Sequence, residues 1–425
     1  MITIPNEVKT IMKKIVEQGY EIYIVGGYVR DSIINRNNKD YDLCTNMPFE
    51  EIKKILPSFS AMRENDHRNT GTLRINNIDI EISTIRGNDI SDDLKGRDFT
   101  INSIAVDSEG NIIDMIGGYN DIQNKIISLS DKTGNSLEVD PLRILRAIRF
   151  AGVLGYEIDE ETYNHMLDKK DLLNTVAKER ILIELNKIIM CENPSELFSK
   201  YYEILSVVIP ELTDIKDLSQ NNPYHIYDVF EHTMKALDSS ERNLDLRYAI
   251  LFHDTGKKES KTTDEDGIDH FYNHPKISTE KFIKFAHRMK MNKTSIERIK
   301  KLIFFHDVTL STKSKSMNHF LKIFGSEDIE LLFDMKLCDI LGQNLDKIDR
   351  AELLEKLRKM YLDYLSTSPA LKIKDLSING RDLINMNFEG KIIGIILKDV
   401  LDQVGQENIG NNPEEIRNYI TSKYR

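Results

Sequence analysis

Val8 to Gln18 alternates apolar and charged positions with the three-and-four spacing of one helical face and stops at Gly19, which predicts a first helix. Tyr20 to Val25 is a short buried-strand pattern closed by Gly26-Gly27. A helix through Val29 to Ile34 and a further strand from Tyr41 should follow. Gly71 to Ile75 and Ile78 to Ile85 are two β-rich runs joined at Asn76-Asn77, a turn signal. Ile101 to Val106 and Ile112-Ile113 suggest strands flanking Ser108 to Asn111. Beyond about residue 138 the alternation disappears, and Pro141 to Arg425 carries almost only helical periodicity. Leu218 to Pro223 reads as a linker between helical units. The pattern predicts an α+β chain, with a small head of mixed sheet and helices followed by an all-helical body.

A length of 425 residues implies two to four domains. With 40% hydrophobic and 30% charged residues the chain reads as globular, and no apolar run reaches the length of a membrane span. The first residues lack a basic region followed by an apolar stretch, so no secretion signal is expected. Cys44, Cys191 and Cys338 are widely spaced and odd in number, which fits neither a zinc site nor a disulfide framework and suits a reducing cytoplasm. A net charge of −11 argues mildly against a nucleic-acid partner. Charge is a chain average, however, and His287 to Lys301 is a strongly basic run; its plainest reading is a solvated helix face.

The chemistry concentrates in two places. In the head, paired glycines after a strand let backbone N–H groups approach an anion, and the following helix adds its positive end. Asp40 and Asp42 follow closely. Residues two apart on a strand share a face, and two carboxylates there repel unless a cation lies between them; magnesium takes such oxygen ligands and bridges to phosphate. Glu81, on an adjacent predicted strand, could complete the set. The segment Val25 to Thr45 resembles the signature of the polymerase-beta-like nucleotidyltransferases, in particular the class II CCA-adding enzyme and poly(A) polymerase family, and the resemblance extends along the chain. It implies that Asp40 and Asp42 hold catalytic magnesium, that Glu81 is the third acid, and that Gly26, Gly27 and Arg30 contact a triphosphate.

Further motifs carry the same resemblance. Arg97 to Asn102, with Arg97, Asp98 and Asn102, is similar to the family's ribose-recognition motif; an arginine and an aspartate together can read a 2′-hydroxyl, which both donates and accepts. Asp140 to Phe150 resembles the amino-acid template that selects the incoming base. Asp140 and Arg143 lie one helical turn apart, so both can face one ligand. A carboxylate accepts from the exocyclic amino group of cytosine or adenine, whereas uracil and guanine present a carbonyl there. Arg146 and Arg149 should face phosphate or fix the helix. The chain departs from the family pattern at Val139, where glutamate usually steadies the template arginine. It departs again at Gly96, where a first arginine is usual, and at Ile126 to Ser128, which replaces an arginine beyond the hinge segment Asp114 to Asp121. Ile85 to Lys95 is also shorter than the flexible loop of full CCA-adding members, a feature of CC-adding ones.

In the body, His232, His253-Asp254, His274, His306 and Asp339 occur in an order that resembles the HD phosphohydrolase superfamily. Imidazole and carboxylate together suit a divalent transition metal or magnesium. The resemblance implies His232, His253, Asp254 and Asp339 as primary ligands, with His274 and His306 completing a two-metal version. Asp375 and Asn379 in the C-terminal segment read as helix caps. The expected organisation is a nucleotidyltransferase head (1–138), a helical neck with the base template (139–200), an HD domain (201–345) and a helical tail that binds tRNA (346–425). The expected activity is magnesium-dependent addition of CCA, or only CC, to tRNA from CTP and ATP in the cytoplasm, with no membrane partner. The rivals are a poly(A) polymerase of the same family, an HD-domain phosphohydrolase acting on RNA ends or cyclic nucleotides, and a non-catalytic RNA-binding protein.

Overall fold

The computed structural model describes residues 2–61, 70–76, 78–221, 226–343, 348–367 and 370–425. The chain divides into two compact units, residues 1–192 with 201–208, and residues 193–200 with 209–425.

The first unit opens with α1 (Asn6–Val16), whose Val8, Ile11, Met12 and Ile15 are buried on one face. Then follow β1 (Ile22–Val25), α2 (Gly27–Ile33), β2 (Tyr41–Thr45), α3 (Phe49–Ile55), β3 (Ser60–Ala61), β4 (Thr70–Ile75), β5 (Ile78–Thr84) and α4 (Ile90–Lys95). After these come β6 (Ile104–Val106), β7 (Ile112–Asp114), α5 (Gly118–Asn124), α6 (Ser136–Val139) and α7 (Arg143–Leu154). The strands form one sheet in the order β3-β4-β5-β2-β1-β6-β7. Only β2 and β5 run parallel; the other neighbours are antiparallel. The register puts Val25 beside Asp42 and Asp42 beside Glu81. Of the strand expected over Ile101 to Val106, residues 104–106 form β6, while Ile101 and Asn102 belong to a 3₁₀ turn over Thr100–Asn102. The Thr100 hydroxyl donates to Asp121 on α5 at 2.5 Å, so side-chain bonding across this turn replaces a strand pairing.

The second unit is mostly helical. In the helix Leu244–Phe252 every residue from Asp245 onward is buried, the charged Asp245 and Arg247 included, and its Tyr248 and Phe252 pack against Phe285; Phe252 also meets Phe282. Around it lie helices Val229–Asp238, His274–Arg288, Lys293–Phe305 and Ser314–Gly342, the last broken at Gly325. The C-terminal helices have a core of their own, with Leu383, Ile396, Val400, Ile416 and Ile420 buried. The body is not purely helical. A hairpin pairs Lys261–Thr263 with Asp269–Phe271, and in the first unit Ile126–Ile127 pairs with Glu157–Ile158. Both are too short to leave an alternation in the sequence. Asp375 and Asn379 sit where the cap reading expects them: the Asp375 carboxylate accepts from the Lys372 N–H, and Asn379 caps Gly380–Asn385. Among the described residues no helix is long and apolar enough to cross a membrane.

The hinge segment is set by one carboxylate. Asp114 accepts from the backbone N–H groups of Ile116, Gly117, Gly118 and Tyr119 and so fixes the start of α5. A Cβ on Gly118 would stand 2.1 Å from the carbonyl oxygen of Thr100, whereas one on Gly117 would meet nothing within 4 Å. Gly118→Ala should therefore destabilise the first unit by about 1–3 kcal/mol, the scale of an overpacked interior. Gly117→Asn, at a left-handed φ of 85° that asparagine tolerates, should cost less. Urea unfolding of the two variants checks this; equal losses would refute it.

Candidate functional sites

In the head, Gly26 makes the turn from β1 to α2 with φ 74° and ψ −139°, a region essentially restricted to glycine. A Cβ there would lie 3.3 Å from Asp42 Oδ2 and 3.5 Å from an Arg97 guanidinium nitrogen. The turn thus brings bare backbone against the acidic strand, with Arg97 beside it. Asp42 and Glu81 are exposed neighbours across the parallel β2–β5 pair, and Asp40 is exposed one residue before β2 begins. Tyr41 and Leu43, which alternate with these acids, are buried, so the acids share the open face of the sheet. The bare turn at Gly26 and oxygen donors beside it are of the kind magnesium and a phosphate chain take, while among the described residues only the body brings three metal-ligating donors within 4.8 Å of one another.

Arg30 lies beside the glycine turn, its Nη2 3.7 Å from where a Cβ on Gly27 would stand, and is bonded within the head. Its side chain is 8% exposed, Nε and Nη2 bond to Asp31 Oδ1, and Nη1 donates to Asn102 at 2.7 Å. Its guanidinium also lies 5.1 Å from the Phe150 ring centre. Arg30 therefore holds α2 against the rest of the head, and its bonds point inward because the adjacent Asp31 offers a buried counter-charge. Arg97 and Asp98 are not joined as one reader. Arg97 pairs with buried Asp93 at 2.8 Å, and Asp98 accepts from Arg146, Asn102 and the Phe99 N–H. Burial works against the Asp98 carboxylate, but the Arg146 charge and these hydrogen bonds outweigh it and hold its pKa below the usual range.

The template residues are each held by a separate partner. Asp140 receives Arg180 at 3.2 Å, while Arg143 donates to the carbonyls of Arg97 and Gly96, both at 3.0 Å. These carbonyls steady Arg143, for which the family usually employs a glutamate; Val139 in that place is 85% exposed. Burial lowers the Arg143 pKa, with Arg86 and Arg146 also lowering it and Asp98 and Asp140 opposing them. Arg149 pairs with buried Glu184 at 2.9 Å, an acid the sequence does not single out because it lies on a separate helix, Lys178–Ile189.

In the second unit the named histidines and acids come together. His232 and His253 face each other through Nε2 at 3.2 Å, as do His274 and His306 at 3.1 Å. Asp339 lies 3.0 Å from His232, and Asp254 reaches His253 at 3.2 Å with one oxygen and His274 at 3.3 Å with the other. Asp254 therefore stands between the two histidine pairs. The Nδ1 atoms of His253, His274 and His306 lie 2.7–2.8 Å from the carbonyls of Ile250, Phe271 and Ile303. A carbonyl only accepts, so each Nδ1 carries the proton and each Nε2 presents a lone pair inward. Two such lone pairs at 3.1 Å repel unless a cation or proton lies between them, which is the arrangement of ligating histidines oriented by carbonyls. The donor set thus fits divalent metal. A cavity of about 670 Å³ opens over it, lined also by Lys257, His270 and Tyr272. Lys257, 2.7 Å from Asp254, was not expected from the sequence; its place three residues after Asp254 was the available signal.

Three family matches divide the chain. The poly A polymerase head domain matches residues 22–128, the probable RNA and SrmB-binding site of polymerase A matches 155–216, and tRNA nucleotidyltransferase domain 2 (putative) matches 261–420. The CC-adding tRNA nucleotidyltransferase of Halalkalibacterium halodurans is 40% identical over 181 residues, covering 43% of this chain and about half (48%) of that protein. The CCA-adding enzyme of Lactobacillus johnsonii is 28% identical over 430 aligned positions, covering 97% and 96% of the two chains. Among solved structures, the Bacillus stearothermophilus CCA-adding enzyme in complex with CTP shares the fold with a TM-score of 0.72 at 20% identity, covering 100% of this chain and 98% of the other.

In the metal-free protein, burial opposes the charge on His253, but Asp254 and Asp339 outweigh it and raise its pKa from 6.5 to about 10. A raised histidine stabilises fully below its unfolded pKa and loses that contribution as pH climbs toward the folded value. Asp254 and Asp339 are held well below the carboxylate range, so their contribution is lost only in acid. His306, held well below 6.5 by burial and by the charges of His253 and His274, has the opposite slope around pH 6.5, and Lys336, lowered to about 8 by burial, adds an opposite slope above that pH, so the clear window runs from about pH 7 to 8. Across it, the unfolding temperature of EDTA-treated protein should fall, with stability dropping by up to about 1 kcal/mol per pH unit. Manganese, which displaces the His253 proton, should flatten the slope. A metal-independent profile would count against the site.

Proposed function

We propose that this chain is a tRNA nucleotidyltransferase of the class II CCA-adding family, which transfers nucleotides from CTP and ATP to the 3′ end of tRNA with release of pyrophosphate. The observation that carries this reading is the register that sets Asp42 beside Glu81 and next to the side-chain-free turn at Gly26. Asp40, Asp42 and Glu81 are the residues that would hold magnesium. Held there, the ion would supply Lewis acidity toward the attacking 3′-hydroxyl and positive charge to offset the departing pyrophosphate.

The remaining work belongs to the chain itself. The backbone at Gly26 and Gly27 admits a triphosphate close to the acids, and Arg97 supplies positive charge at that turn. Asp140 accepts from the exocyclic amino group of cytosine or adenine while Arg143 donates to the neighbouring ring acceptor, which rejects uracil and guanine through opposed lone pairs. Arg143 is already aimed by the carbonyls of residues 96 and 97, so its orientation costs little when the base arrives. The short segment 85–95 favours a product that stops at CC. It is folded back on itself, with Asn88 bonded to Asp92 and Arg86 to the Gly96 carbonyl.

A second reading is favoured by the paired histidines of the body. His232, His253, Asp254 and Asp339, with His274 and His306, would hold divalent metal as an HD centre, and metal there supplies Lewis acidity for phosphoester hydrolysis on RNA ends or cyclic nucleotides. Lys257 would bring positive charge to a phosphate in the same cavity.

The test is incubation with tRNA lacking its CCA end, supplying CTP and ATP separately and together, and sequencing the extended ends. One CC, one CCA or a long A tract separates CC addition, CCA addition and poly(A) synthesis. Asp42→Ala should reduce addition by about 10³-fold or more while RNA binding survives; addition at the wild-type rate would sink the assignment. Conversion of 2′,3′-cyclic nucleotides to their 2′- or 3′-monophosphates that is lost in Asp254→Ala but kept in Asp42→Ala supports the second centre.

A further inference from the structure

A continuous line of polar contacts runs through the first unit from Asp40 to α7. The backbone N–H of Asp40 donates to Asn38 Oδ1 at 2.8 Å, and Asn38 Nδ2 donates to Asp31 Oδ2 at 2.8 Å. The other Asp31 oxygen accepts from Arg30 Nε at 2.9 Å and Nη2 at 2.8 Å. Arg30 Nη1 donates to Asn102 Oδ1 at 2.7 Å, and Asn102 Nδ2 donates to Asp98 Oδ1 at 3.0 Å. The second Asp98 oxygen accepts from Arg146, one helical turn beyond Arg143 on α7. Arg30, Asp31 and Asn102 are each less than 9% exposed.

The chemistry of each link leaves no alternative arrangement. Asp31 can only accept and the Asp40 N–H can only donate, so the group between them must do both, which an amide does and a carboxylate does not. Arg30 can only donate and Asp98 can only accept, so Asn102 meets the same requirement. Both amide orientations are therefore fixed by their neighbours. Neutral amides alternate with ion pairs; the Arg30–Asp31 and Arg30–Asn102 links are buried, so breaking them strands a polar group, whereas the Asp40–Asn38 bond lies at the surface and acts by fixing geometry.

We propose that Asn38 is a positioning residue for the nucleotidyl-transfer site, and that the Asn38–Asp31–Arg30–Asn102–Asp98–Arg146 line ties the placement of Asp40 to that of the base-selecting helix. This rests on the reading of Asp40 and α7 given above. Asn38 Nδ2 also lies beside Gly27, 3.5 Å from where a Cβ there would stand, and the role proposed for Asn38 is to set the backbone from which the Asp40 carboxylate projects. Displacement of a reacting constellation by an ångström is costly to rate even when its members are all present. Asn102 joins the two halves, so a change at either end should be felt at the other.

The test measures manganese binding by EPR, as the increment in bound ion that CTP produces, for the full-length protein. The variants are Asn38→Ala, Asn38→Asp, Asn102→Ala and Asn38→Ala with Asn102→Ala. Asn38→Ala should weaken CTP-dependent manganese binding by roughly 3- to 10-fold, a loss on the scale of one hydrogen bond. In tRNA extension, kcat should fall by about tenfold or more while the KM for CTP stays within about twofold. Asn38→Asp, which keeps the shape and removes the donor, should behave like alanine; it also carries the test if Asn38→Ala fails to fold. In one line the losses are shared, so Asn102→Ala should cost little more in the Asn38→Ala background, whereas independent residues would give losses that multiply. Manganese affinity unchanged in both Asn38 variants, with only the unfolding temperature lowered, overturns the proposal, as do multiplying losses. Wild-type protein that shows the manganese effect but extends no tRNA leaves the line standing and removes the activity assignment. Wild-type protein with no CTP-dependent manganese binding removes both.

Discussion

The buried pair of Arg30 and Asp31 is the constraint on which the head depends. Two charges taken from water are favourable only when their remaining donors and acceptors are satisfied, and removing one partner strands the other. Here the satisfaction comes from three directions. Asn38 reaches in from the loop before β2, Asn102 from the 3₁₀ turn, and the Phe150 ring of α7 lies beside the guanidinium. The pair therefore specifies how α2, the acidic strand and α7 sit around one another within the first unit. Packing alone would tolerate small slides between them; a saturated charge pair does not.

The two acidic centres obey opposite electrostatic logic. The head acids lie on an open sheet face, where water screens their repulsion, so the strand can form without an ion. Asp254 and Asp339 are enclosed with imidazoles, where each charge must be answered locally. The first arrangement suits groups that come and go with each nucleotide. The second suits an ion that stays, because releasing it requires that protons be taken up by largely buried imidazoles and carboxylates.

The order of elements was legible because it rests on periodicity: the α1 stripe, the β1 strand ending at Gly26-Gly27, and the alternation that turns Asp42 and Glu81 to the same face. The histidines and acids of the body were legible because their residue types are rare in combination. What escaped were the partners. Nothing between Arg36 and Lys39 marks Asn38 as other than a loop residue, since its importance lies in Asp31, seven positions earlier. Glu184 answers Arg149 across separate helices, and the inward turn of Arg30 follows from contacts with residues 102 and 150. Such pairings leave no local pattern. The hairpin at 261–271 was missed because three-residue strands are below the length at which alternation can be read.

The way Arg143 is gripped ties two regions of the head that could have varied separately. Its hydrogen bonds end on main-chain oxygens at residues 96 and 97, and Arg86 holds the same Gly96 oxygen from the opposite end of the 85–95 segment. A side chain can be substituted; a carbonyl can only be moved. Lengthening that segment by insertion would shift the oxygens and swing the guanidinium with them, without any change to the selector itself. If Arg143 selects the base as proposed, a longer loop transplanted there would alter which base is accepted unless an acidic residue were placed at position 139 to take over the hold.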